Sequence, residues 1–146
     1  MARFRTGAGL LLPAGVLALT GVLAAPPAAS AWSTGYGHVS ARDRPLRPGC
    51  HHYSYHYVAK PRSNDWFLET WLRDPRGMAR GYADFGHGSD PKDGYGRFGI
   101  CRATVVPGRF TIKARLRWWT PGPLPIDPPV RHTRWFRPAR FRLYLT

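Results

Sequence analysis

Apolar and polar residues alternate with a period of two through much of this chain. Tyr53, Tyr55 and Tyr57 alternate with Ser54 and His56; Phe110, Ile112, Ala114, Leu116 and Trp118 alternate with Thr111, Lys113, Arg115 and Arg117; Phe141, Leu143 and Leu145 alternate with Arg140, Arg142 and Tyr144. Successive side chains of a strand point to opposite faces, so each run predicts a strand with one buried and one wetted face, the habit of an antiparallel sheet. Residues 66–72 add a strand with Trp66, Leu68 and Leu72 on one face. Residues 78–85 are its return partner, because Asp74-Pro75-Arg76-Gly77 places Pro at the second turn position and Gly late. A further strand is expected over 97–104. Residues 61–65 and Pro107-Gly108 read as turns, 86–96 as a long Gly-rich loop, and the proline-rich 120–138 as a connection unfit for a central strand. No helical stripe with caps follows Trp32. Six or seven short strands with turns at regular spacing predict an all-β sandwich.

The start of the chain is patterned differently. Arg3 and Arg5 precede an apolar run over 10–25, then Pro26-Pro27 and the small-residue sequence Ala29-Ser30-Ala31. These are the parts of a secretory signal peptide, and they predict cleavage after Ala31. The run is broken by Gly and Pro and is short against the roughly 20 strongly apolar residues of a bilayer span. No cysteine at the cleavage point offers a lipid anchor, and Arg3-Phe4-Arg5 is not a twin-arginine pair. Leu124-Pro125-Ile126-Asp127 lacks the Thr-Gly of a cell-wall sorting signal. The expected organisation is a signal peptide over 1–31, an irregular N-terminal segment over 32–48 and a β-sandwich domain over 49–146. The expected product is a secreted, extracellular monomer with no membrane segment after signal cleavage.

Charge and cysteines add two constraints. Without Arg3 and Arg5, 20 basic side chains face 8 acidic ones. Such an excess fits a partner of opposite charge, such as nucleic acid, teichoic acid, an acidic glycan or an anionic membrane. It also fits the Arg-rich usage of a GC-rich genome, since 19 of the 22 basic residues are Arg. The two cysteines, Cys50 and Cys101, allow one intramolecular pairing, and an oxidising compartment favours making it.

Cys50, Trp66 and Cys101 together resemble an immunoglobulin-like sandwich. The resemblance implies a bridge between facing sheets, with a Trp from the strand after the first cysteine packed upon it. The tyrosine expected two residues before the second cysteine is replaced by Gly99. Cys50 also has the opposite strand parity from Tyr53, Tyr55 and Tyr57, so a core-crossing bridge requires a bulge or a place beyond the strand start. Tyr53-x-Tyr55-x-Tyr57, Asp74-Pro75-x-Gly77, Phe98-x-Ile100-Cys101 and Pro107-Gly108-x-Phe110-x-Ile112-x-Ala114 resemble the short secreted actinobacterial immunoglobulin-like proteins of unknown function. That resemblance spans about 49–118 and implies secretion without an assigned chemistry. Such a fold hosts many functions, so function has to be argued from a site.

Candidate chemistry is sparse. His52 and His56 share a strand face but stand about 13 Å apart along it, too far for one zinc; His51 or His52 would have to recruit His38, His87 or His132. Asp84, Asp90 and Asp93 with Gly88 and Gly94 lack the alternating ligands and terminal Glu of a calcium loop, and turn chemistry accounts for them. No metal and no cofactor is expected. A glycosidase needs two carboxylates, and Glu69, the only Glu, has Asp74 or Asp84 as its candidate partner. A small secreted ribonuclease would draw on Glu69, Arg73 and His56 or His87.

The C-terminal stretch is the strongest candidate. Arg131, Arg134, Trp135, Arg137, Arg140 and Arg142 mix guanidinium and aromatic groups suited to gripping phosphates and stacking on bases or sugars. The same residues also read as an edge strand blunted by charge. The expected function is a non-enzymatic extracellular binding or surface-associated module, its ligand held by the loops over 86–96 and 120–138. The alternatives are polyanion binding through the Arg-aromatic stretch and a small secreted ribonuclease.

Overall fold

The computed structural model describes residues 35–146, so the expected signal peptide over 1–31 lies outside the described residues. Nine strands follow in order: β1 (Gly37–Ser40), β2 (Arg44–Pro45), β3 (Cys50–Ala59), β4 (Trp66–Arg73), β5 (Ala79–Gly86), β6 (Asp93–Cys101), β7 (Gly108–Thr120), β8 (Val130–Trp135) and β9 (Ala139–Tyr144). The only helical turn among the described residues is a 3₁₀ segment over Arg102–Thr104. The described residues are all-β, as the alternation predicts.

The strands form two sheets. The smaller has the order β1-β3-β6; the larger has the order β2-β9-β7-β4-β5, with β8 also paired to β7. All pairings are antiparallel except the short parallel contact of β2 with β9. The 13-residue β7 is the spine. One of its edges pairs with β4, and the other is shared by β9 and β8 in turn. Between them the ladder slips: Arg115 faces Trp135 and Ile112 faces Ala139, so two residues of β7 oppose Phe136, Arg137 and Pro138. This is a β-bulge, at the place where Pro138 has no N–H to give. It turns Phe136 into the core, fully buried, with its N–H on the Ala114 carbonyl at 3.0 Å.

One core lies between the sheets. Tyr53, Tyr55, Tyr57, Phe98 and Ile100 come from the smaller sheet; Leu68, Leu72, Phe110, Ile112, Leu116 and Trp118 come from the larger. The tyrosine rings fit because of what faces them. Tyr55 and Tyr57 pair with Gly96 and Gly94, and a Cβ on Gly96 would overlap the Tyr55 ring. Each hydroxyl finds a partner, as a buried phenol requires. Tyr53 donates to the Pro45 carbonyl and accepts from the Arg47 N–H; Tyr57 donates to the Pro91 carbonyl. Thr70 Oγ1 donates to the Ala83 carbonyl at 3.0 Å, so Tyr55 Oη donates to Thr70 Oγ1 at 2.6 Å and ties one sheet to the other.

Several expectations are corrected. The described part of the segment over 32–48, residues 35–48, is not irregular: β1 pairs with β3, β2 pairs with β9, and Val39 and Leu46 are buried in the common core. Apolar residues at single positions, without a run of alternation, concealed those strands. The expected loop over 86–96 shrinks to 87–92, because Asp93–Gly96 pair with β3. The expected connection over 120–138 shrinks likewise, since Val130–Trp135 add an edge strand to β7.

The largest correction concerns the disulfide. Cys50 and Cys101 are bonded, but they are direct partners in the β3–β6 ladder of one sheet, with Cα atoms 3.9 Å apart. No bulge interrupts the register from Cys50 to Val58, so Cys50 keeps the outward parity of His52, Ser54 and His56. The bridge closes neighbouring strands on the outer side and does not cross the core. Trp66 is buried in the opposite sheet.

Candidate cationic-aromatic sheet face

The side of the larger sheet turned away from the core carries the densest set of chemical groups. Residues of β4 with odd numbers point outward, because Trp66, Leu68, Thr70 and Leu72 face the core. Cross-strand register then places Glu69 between Asp84 of β5 and Arg115 of β7. It places Trp71 between Tyr82 and Lys113, and Phe67 between Gly86 and Arg117. On the far edge Trp135 faces Arg115, Thr133 faces Arg117 and Arg131 faces Trp119.

Glu69 is buried at 7% exposure although it stands on the solvent face. Two arginines cover it. Arg115 donates from Nε at 2.9 Å and Nη2 at 2.8 Å to Oε2, and Arg117 donates from Nη2 to the same oxygen at 3.0 Å. A carboxylate removed from water requires such partners. The Arg115 guanidinium lies 5.3 Å from the ring centres of both Trp71 and Trp135, and Arg117 lies 5.4 Å from that of Phe67. Charge pairing thus fixes each guanidinium in its plane, and aromatic contact fixes its position across the strands. The Arg117 Nε is buried and has no hydrogen-bond partner among the described residues.

The aromatic groups form a row oblique to the strands. The Trp71 ring is 5.8 Å from Tyr82 and 5.5 Å from Trp135. Tyr82 is 52% exposed and Trp135 39%. Burial and the nearby carboxylates Glu69 and Asp84 raise the Tyr82 hydroxyl above its ordinary pKa, so it stays neutral. Around the row, Arg73, Arg109 and Lys113 extend the cationic surface along β4 and β7, while Arg131, Arg140 and Arg142 extend it along β8 and β9. The acids of this face are Glu69, already covered, Asp84, and at the β9 edge Asp43, which accepts from the Arg142 N–H at 2.6 Å beside Arg109 and Arg140. The face is therefore strongly positive.

The C-terminal candidates divide. Arg131, Trp135, Arg140 and Arg142 share this face, joined by positions of β4, β5 and β7. Arg134 does not: opposite Leu116, it lies at the core-side edge with its guanidinium 5.4 Å from the centre of the Tyr36 ring. Arg137 is exposed within the bulge. Glu69, Trp71, Tyr82, Arg115 and Arg117 complete the site without having been singled out for it. Their outward parity was legible; the strand neighbours that bring them together were not.

The other candidates are not assembled. Glu69 is bound by Arg115 and Arg117, not by Arg73, His56 or His87, and Arg73 donates to the Gly77 carbonyl at 2.8 Å. Glu69 and Asp84 are neighbours across β4 and β5, but the two arginines occupy the Glu69 carboxylate. His56 faces outward from the other sheet, with Nε2 2.6 Å from Asp93 Oδ1 and its ring near His38 and Tyr95. A shallow depression of about 410 Å³ adjoins it, lined by Ser40, Arg42, Arg44, Ser54 and Tyr95 among others. Among the described residues no three His, Cys, Asp or Glu side chains converge as metal ligands, and no helix is long and apolar enough to cross a membrane. Compared with protein-family models, with curated proteins and with solved structures, the chain gives no match.

Proposed function

We propose that this protein is an exported, non-enzymatic binding module that holds an extended polyanion against the outer face of its larger sheet. The observation that carries the reading is the excess of cations on one sheet face, with Glu69 consumed in orienting two of them. A sheet face presents side chains at about 7 Å intervals along each strand. It can therefore offer a regular lattice of guanidinium groups to a chain of like charges. Binding of this kind proceeds by release of condensed counterions and weakens steeply with salt. Export is supported by the leader-like pattern over 1–31 and by the disulfide, which persists in oxidising compartments. The immunoglobulin-like sandwich belongs to the same reading: two sheets around one core support it, while a disulfide within one sheet is a departure from that family's bridge.

This reading moves the ligand from the end loops to a sheet face. The loops are shorter than their sequence implies, and 87–92 is tied down by the Tyr57 bond to Pro91 and by the Ala59 N–H on the Lys92 carbonyl. The test is retention of the disulfide-bonded protein on heparin and DNA resins across a salt series. Retention should fall steeply with salt, and Arg131→Ser with Arg142→Ser, both on exposed strand positions, should lower the eluting salt concentration. Retention that ignores ionic strength, or that these substitutions leave unchanged, would refute the reading.

A further inference from the structure

We infer that the polymer bound by this face is a single-stranded nucleic acid, its bases stacked on the outward surfaces of Tyr82 and Trp135 and its phosphates on the flanking arginines. This rests on the polyanion reading above and adds what charge alone does not require. Cations alone suffice to hold a polyanion; exposed aromatic rings add a stacking surface, which the planar bases of a nucleic acid use best. Here the rings stand on the solvent side, where the core has no use for them, and two of them remain open. Trp71, between Tyr82 and Trp135, makes the row continuous across β5, β4 and β8.

The row is also preorganised. Arg115 rests against both rings, its guanidinium 5.3 Å from each ring centre while the rings of Trp71 and Trp135 are 5.5 Å from each other, and Glu69 holds that guanidinium by two of its nitrogens. Trp71 and Trp135 are therefore braced by each other and by a held guanidinium before any ligand arrives, and less side-chain freedom remains to be lost on binding. Arg115 is committed to Glu69 and rests against both rings, so it supplies charge to the row. Every base has a π-face, so a strand of any sequence can use Tyr82 and Trp135, with modest preference among bases. A duplex hides those faces within its own stack; a flat sheet surface has no element of a size to enter its groove.

The test measures binding of the intact, disulfide-bonded protein to labelled oligomers of about 12 nucleotides, within the usual range of single-stranded sites. The probes are oligo-dT, oligo-U, an abasic strand of equal charge, a dT·dA duplex, and a uronic-acid polysaccharide. The expected result is that at least one base-bearing single strand binds about tenfold or more tightly than the abasic strand or the duplex, and quenches tryptophan fluorescence. Tyr82→Ala should reduce that affinity to near the abasic value without changing abasic binding, whereas Tyr82→Phe should retain it. Tyr82 is exposed, so the alanine variant should keep its circular dichroism, and Trp135→Phe provides a second check on the ring surface. Equal affinity for the base-bearing and abasic strands would overturn base stacking and leave the polyanion reading standing. Preferred, ring-dependent binding of the polysaccharide would identify a glycan ligand and overturn the nucleic-acid assignment. Failure of every probe to bind would remove both.

Discussion

At the scale of single residues, this protein places polar atoms where apolar packing alone would leave them stranded, and most of them find partners close by. Asp74 is the clearest. Its Oδ1 accepts from the Arg76 and Met78 N–H groups at 2.9 Å each, and its Oδ2 accepts from Arg80 Nε at 2.8 Å. Burial alone would raise this carboxyl, but the Arg80 bond, the two backbone N–H bonds and the Arg80 charge hold it below its ordinary pKa. A depressed carboxyl stabilises the fold above its unfolded pKa, and the contribution disappears as pH falls through the folded value. Acidification below about pH 4 should therefore lower the melting temperature of the wild type more than that of Asp74→Asn, which should already be lower near neutrality. Thermal unfolding followed across pH 2–7 measures both. The turn was readable from Asp74-Pro75-Arg76-Gly77, because turn chemistry is local. The Arg80 partner was not, because it depends on the hairpin closing.

At the scale of elements, parity was more trustworthy than analogy. Counting alternate positions from Tyr53 puts Cys50 on the outer side, and counting from Phe98 and Ile100 does the same for Cys101. The structure follows the count and joins the two in one ladder. The immunoglobulin-like comparison needed a bulge that does not occur there; the register shifts lie elsewhere, between Leu72 and Arg73 against β5 and in the C-terminal edge strands at Phe136–Pro138. A bridge with a sequence separation of 51 removes about 4 kcal/mol of unfolded-state freedom in the chain-entropy model. Because it also locks the β3–β6 register, Cys50→Ser with Cys101→Ser should reduce unfolding free energy by an amount of that order, read from denaturant midpoints. Native secondary structure should persist at low denaturant, since nine-residue pairing remains along the ladder. A midpoint unchanged on removing the bridge would contradict this account.

At the scale of the whole molecule, two sheets divide labour. Their inner faces make one core, and a polar chain crosses it from Tyr55 through Thr70 to the Ala83 carbonyl. Burial raises the Tyr55 hydroxyl to about 12, against the lowering effect of its bond to Thr70. A raised pKa contributes stability that is complete below the unfolded value near 10 and lost as pH rises through the folded one. Tyr55→Phe should cost about 1 kcal/mol at neutral pH, the net worth of a buried hydrogen bond. It should also flatten the fall in stability between pH 10 and 12, measured by denaturant titration. A fall as steep as in the wild type would place the alkaline transition on other tyrosines. The outer faces, by contrast, carry the chemistry: histidines and Asp93 on one, and cations with an aromatic row on the other.

Strand periodicity, turn residues, charge excess and the single possible cysteine pairing are properties of neighbours along the chain, so the sequence alone determined the all-β class, the principal strands, the tyrosine core stripe and the disulfide partners. It also marked Arg131, Trp135, Arg140 and Arg142 as candidates. Which strand lies beside which is set by closure of the whole core, and only the tertiary structure decided it. That decision brought Glu69, Arg115, Trp71, Tyr82 and Trp135 from four strands onto one surface, sent Arg134 to the opposite side of its sheet, and placed the disulfide within a layer. Side-chain direction repeats every two residues and can be counted; strand order depends on the burial of residues far apart in the chain, which no local count contains.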